Sequence, residues 1–172
     1  MTPTPDRSLQ DIGRNAYESI VEMVAALDVD YDRIEELRGR YSDNDKENDL
    51  DEDEKLELHE LMEQAGDCTS REDAERRIQE DALSVEVRSG WVEVGGEMTA
   101  EEFCILITTG GPAIRIRGEL GEFSTPKRAW LEVQDWGTPW TEHHGHTVGD
   151  TEWESVDQDV LLAYCQQFYF GE

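Results

Sequence analysis

Phe103-Cys-Ile-Leu-Ile-Thr-Thr-Gly-Gly-Pro-Ala-Ile-Arg-Ile-Arg117 holds two strands and the turn between them. Phe103–Thr108 is apolar at consecutive positions, so both of its faces need covering, which predicts a central strand. Gly110, Gly111 and Pro112 break the pattern where the chain reverses. From Ala113 to Arg117 apolar and basic side chains alternate, the period of a strand with one face in the core. A connection this short favours antiparallel pairing, because a parallel neighbour needs a crossover of about a dozen residues.

Outward from this hairpin, Val85, Val87 and Trp91 alternate with polar residues as a first candidate strand, and Ala129–Gln134 fits a fourth. The stretch from about Asp135 to Ser155 carries Gly, Pro, Thr and His without a period and reads as a long connection. Val160, Leu161, Tyr164, Cys165 and Phe168 then mark the inner face of a closing helix at about 157–169. Before Leu83 the period is helical. Leu9, Ile12, Ala16, Ile20, Val24 and Leu27 form one apolar face, with Ser8 as the expected cap. Asp30 caps a second helix through Tyr41, a third is expected at about 53–65, and Thr69–Glu72 reads as a capping box opening a fourth. The predicted fold class is α+β, with N-terminal helices followed by a roughly four-stranded antiparallel sheet backed by a C-terminal helix. Residues 1–83 form an acidic helical region, either an appendage or part of the same domain, and residues 84–172 form the sheet with its helix.

Charge is the strongest functional signal. Forty-two acids stand against 15 bases in 172 residues, a formal net charge of −27. Such a chain repels nucleic acid and anionic membrane surfaces and steers basic partners toward itself. An acidic, lysine-poor surface is also what adaptation to high salt produces. No segment reaches the roughly 18 apolar residues of a membrane helix, and the N-terminus lacks a signal-peptide pattern, so a cytoplasmic protein is expected. Cys68, Cys104 and Cys165 are odd in number and lack a C-x-x-C spacing; the last two read as buried, reduced thiols.

The densest acidic stretch, Asp43 to Glu60, has ten acids and two lysines. Asp43, Asp45, Glu47, Asp49, Asp51, Glu52, Asp53, Glu54, Glu57 and Glu60 are the candidate partner-binding residues, imitating phosphates toward arginine and lysine. A solvated charge run is the plainer explanation. Asp43–Glu54 also matches an EF-hand loop at positions 1, 3, 5, 7, 9 and 12, but Asn48 stands where glycine should turn the loop. His143, His144 and His146 invite a metal, yet neighbouring histidines on a loop seldom converge on one tetrahedral site. Trp140 and Trp153 are candidate anchors for a partner, whereas Trp136, directly after a strand, reads as a lid on the core. Thr109–Pro112 lacks the lysine and helix of a phosphate loop and reads as a hairpin turn. Arg115 and Arg117 are expected to neutralise neighbouring acids. No catalytic residue, no metal site and no cofactor is assigned.

The segments Ile78–Trp91, Glu102–Pro112, Gln134–Gly137 and Ala163–Gly171 resemble a family of uncharacterised small acidic proteins of phages and other mobile elements. The resemblance covers roughly residues 75–172 and brings no functional residue with it. The context it implies is that of antirestriction and anti-CRISPR proteins that mimic DNA. The expected function is therefore non-enzymatic inhibition of a basic, nucleic-acid-binding protein of a host defence system. A calcium-binding module and a salt-adapted domain without mimicry are the alternatives.

Overall fold

In the computed structural model, residues 7–41, 50–149 and 151–171 are described. The chain runs α1 (Arg7–Leu27), α2 (Tyr31–Arg40), α3 (Glu52–Ala65), α4 (Arg71–Asp81), β1 (Ser84–Arg88), β2 (Glu102–Thr108), β3 (Ala113–Leu120), β4 (Pro126–Gln134), β5 (Thr141–Glu142), β6 (Gly145–Val148), β7 (Glu152–Ser155) and α5 (Gln158–Cys165). The architecture is α+β. Strands β1 to β5 form one antiparallel meander in sequential order, and β6 and β7 form a separate hairpin.

The chain divides into two compact units. One comprises the described residues up to Val21 together with those from Ile78 onward, and the other is Glu22–Arg77. The division does not follow the change of periodicity at 83/84. The first turns of α1 and the end of α4 belong with the sheet, because Gly13 and Tyr17 pack on the β5–β7 region and Asp81 binds Tyr164.

In the sheet unit, register fixes the two faces. Val87, Phe103, Gly118 and Ala129 lie in one row and Val85, Ile105, Ile116 and Leu131 in the next. The central and β4 members of these rows are buried; β4 meets α5, whose Leu161, Tyr164 and Cys165 are buried, and Phe103 packs on Phe170. Gly118 is required where it stands: a Cβ there would fall 2.3 Å from the ring of Phe103, which packs on Phe170 at 4.7 Å between centroids. The Gln158 side chain fastens α5 to the sheet, accepting from the Ala129 N–H at 2.9 Å and donating to the Ala129 carbonyl at 2.6 Å.

In the other unit, α2 and α3 close a small core of Val29, Ile34, Leu37, Leu50, Leu58 and Ala65. Asp30 caps α2 as expected by accepting from the Arg33 N–H.

Several sequence expectations need correction. The connection 135–155 contains β5, β6 and β7. Strands of two and four residues, some with both faces solvated, leave no period to read. The first strand stops at Arg88, and Trp91 lies beyond it, fully solvent-exposed. The closing helix ends at Cys165, where Gln166 caps it, and Phe168 instead tilts against Tyr164. Ser8 lies inside α1, which already includes Arg7. The capping box of α4 is shifted by one residue: Ser70 Oγ accepts from the Asp73 N–H, and the Asp73 carboxylate accepts from the Thr69 N–H.

Candidate functional site

Asp43, Asp45, Glu47 and Asp49 lie outside the described residues. The remaining predicted acids separate into two groups with different tasks. Asp51 is the N-cap of α3: its carboxylate accepts from the Glu54 N–H at 2.8 Å, and Glu54 reaches back to the Asp51 N–H at 3.2 Å. Arg40 grips both oxygens of Glu54 at 2.7 and 2.9 Å. One turn on, Arg33 grips both oxygens of Glu57 at 3.0 and 2.8 Å and also reaches Glu36 at 3.0 Å. These arginines hold the Glu54 and Glu57 carboxyls below the ordinary glutamate range. Both acids are therefore fasteners between α2 and α3.

Glu52, Asp53 and Glu60 point to solvent. Glu52 pairs with Lys55, while Asp53 and Glu60 make no ion pair among the described residues. Asp53, Leu56, Glu60 and Glu63 recur at helical spacing along one exposed face of α3. The acids of the first turn have a local explanation, since negative charge is favourable at a helix N-terminus. Glu60 has none, and Glu63 has only the His59 imidazole 3.9 Å away; both stand toward the C-terminal end of α3, which has no base in its last turn. Glu80 repeats this at the end of α4.

The EF-hand reading meets a competitor in the described part of its loop. The Glu54 carboxylate, the twelfth-position ligand, already engages the Arg40 guanidinium and lies 3.9 Å from Arg33. No cluster of three or more metal-ligating side chains occurs among the described residues.

The two Trp candidates differ. Trp140 is half-buried, with the Arg115 guanidinium 4.1 Å above its ring, whereas Trp153 on β7 is exposed. Trp136 is more exposed than either. Its indole rests against Gly111, where a Cβ would fall 2.2 Å from Nε1. Arg115 pairs with Glu132 and Arg117 with Glu102 at 3.2 Å, so this basic pair is neutralised by neighbouring strands. Cys104 lies on that same face, and burial pushes its thiol up. Cys165 is fully buried and its thiol is raised further by the same cause.

The sequence shows the histidine cluster but not its burial. Apart from tyrosine and cysteine, His143 and His146 are the only buried polar side chains among the described residues, each about 5% exposed. Their rings stack 5.9 Å apart, and His143 Nε2 and His146 Nδ1 have no hydrogen-bond partner. Gly13 of α1 gives His143 its space, since a Cβ there would fall 2.3 Å from Nδ1. Tyr17 tilts against His146 and its hydroxyl accepts from the Asp157 N–H at 2.8 Å. Burial, then the neighbouring His146 and His144, pull the His143 pKa down to about 4. His143 is thus a neutral wedge between α1 and the β5–β6 segment. A glycine inside an otherwise regular helix was the one signal that a bulky group approaches there.

Comparison with known protein families, curated proteins and solved structures gave no match. The resemblance of residues 75–172 to small acidic mobile-element proteins gained no support there. No described helix is long and apolar enough to cross a membrane.

Proposed function

We propose that this protein is a non-enzymatic counter-defence protein of a phage or mobile element. It acts in the host cytoplasm by occupying the basic, nucleic-acid-binding surface of a restriction or CRISPR protein. The observation that carries the reading is where the charge remains. No described carboxylate is buried. In the unit Glu22–Arg77, 21 acids face 8 bases, and Arg33, Arg40, Lys55, Arg71 and Arg76 are engaged by acids of that same unit. Glu60 and Glu80 stand toward the C-terminal ends of their helices, which the helix dipole disfavours, and make no ion pair among the described residues; Glu63 has only the His59 imidazole 3.9 Å away. Charge maintained at such positions serves an interaction outside the chain or the solvent. A partner that normally binds phosphates supplies the arginine and lysine such carboxylates recognise. Exposed charge pairs of this kind steer association and weaken steeply as salt rises.

The test is affinity capture from a bacterial lysate expressing several defence systems, eluted with increasing salt. A discrete DNA-binding effector, released by salt and displaced by duplex DNA, is the expected result. The triple variant Asp53→Asn, Glu60→Gln, Glu63→Gln should capture less of it while melting like the parent. A clean absence of partners at low salt would leave salt adaptation as the reason for the acidity.

A further inference from the structure

α5 covers the β4 side of the sheet and leaves the β1 side bare. Val85 and Val87 stand in the same rows as the buried Ile105 and Phe103, yet remain 39% and 49% exposed. β1 is also an edge: among the described residues it pairs with β2 alone. The segment that follows adds more apolar surface instead of covering it. Trp91 and Val94 are fully exposed and Met98 largely so. Val87, Met98 and Phe170 line a groove of about 390 Å³ on this side. Next to Ser124, which lines the groove, Phe123 is 95% exposed although its backbone is left-handed at φ 58°, a conformation costly for a side chain bearing a Cβ. Soluble chains normally shield an edge of this kind with lysine, proline or a covering element, because it templates the addition of another strand.

The charge around the edge selects what could be added. Residues 83–102 hold five acids and one base. The base, Arg88, donates to Glu102 at 2.7 Å. Glu86, Glu93 and Glu97 make no ion pair among the described residues and frame the apolar surface. A second copy of this chain would bring like-charged carboxylates, Glu86 among them, within one strand spacing of about 4.8 Å, closer than the screening length of about 8 Å at physiological salt. We infer that β1 and the segment 89–101 dock an extended segment of a partner protein in which basic and apolar side chains alternate. It joins the sheet as a sixth strand next to β1. Its apolar side chains pack on Val85 and enter the Val87–Met98–Phe170 groove, and its lysines or arginines meet Glu86, Glu93 and Glu97. Backbone hydrogen bonds supply affinity and the alternating side chains supply specificity, as in other strand-addition complexes. This rests on the proposed basic partner and names where it binds.

The probe is an acetylated, amidated nine-residue peptide alternating lysine and valine, added to the full chain at physiological salt. Amide hydrogen exchange is then read residue by residue. Exchange across Ser84–Arg88 is expected to slow at least tenfold. A peptide N-methylated at alternate residues should lose that protection, and Trp91→Ala with Met98→Ala should weaken binding about tenfold without changing the melt. Protection confined to α2 and α3, or equal binding of the N-methylated peptide, would overturn this site while leaving the basic-partner reading standing. No binding, or a free protein whose β1 amides are already protected in a dimer, would overturn it too. The lysate capture reports on the partner reading separately.

Discussion

Gly13→Ala should destabilise this protein, although helix propensity alone says the opposite. Gly13 lies inside α1, where alanine is worth about 1 kcal/mol over glycine. Its added Cβ, however, would fall 2.3, 2.5 and 2.9 Å from three ring atoms of His143. That ring is buried and flanked by the His146 ring, so it cannot swing aside as a surface side chain would. Overpacking of this kind costs about 1–3 kcal/mol, and overlap on three atoms of a confined ring belongs at the upper end. Subtracting the propensity gain leaves a net loss of about 2 kcal/mol, or a melting temperature lower by roughly 4–8 °C in a chain of this size. The assay is thermal unfolding followed by far-ultraviolet circular dichroism at neutral pH. In a His143→Ala background the same substitution should recover its helix gain, giving a coupling energy of about 3 kcal/mol between the two positions. A parent background in which Gly13→Ala raises the melting temperature, or strict additivity of the two changes, would refute the packing of α1 on His143.

Acidification should expose the same wedge through its proton. The unfolded chain protonates His143 near its ordinary value of 6.5, while the folded one stays neutral to about 4. Stability from this group is thus fully present above 6.5 and is lost as pH falls toward 4, by about 2 kcal/mol after solvent screening. Denaturant titrations should show this slope in the parent and not in His143→Gln. Glu54, Glu57 and Asp73, held low by their partners, begin to lose their contribution only at lower pH. Leu37→Ala removes a fully buried side chain from the small α2–α3 core and should cost that unit about 3 kcal/mol. Hydrogen exchange should then quicken across α2 and α3 more than across β2–β4. Millimolar calcium should leave the melting temperature unchanged, because the Glu54 carboxylate is engaged by Arg40; a rise reversed by chelator would restore the EF-hand reading.

What could be read from the chain is what depends on neighbours in sequence. The consecutive apolar run from Phe103, the alternation from Ala113, the Gly-Gly-Pro turn and the helical face from Leu9 to Leu27 announce their elements through local geometry, and the antiparallel pairing of β2, β3 and β4 follows from their short connections. Total charge is a property of composition and needs no fold. Which acid does what depends on distant partners. Glu54 and Glu57 looked like Asp53 and Glu60 in the sequence, until α2 brought Arg40 and Arg33 against them. The histidines stood out in the sequence but their burial did not, because it comes from a helix about 130 residues earlier that has a glycine at the point of contact. The bare β1 edge was hidden for the same reason. Val85 and Val87 carry a core pattern, and only the position of α5 over β4 leaves them uncovered. Burial is decided by what packs from elsewhere in the chain, and no local pattern records that.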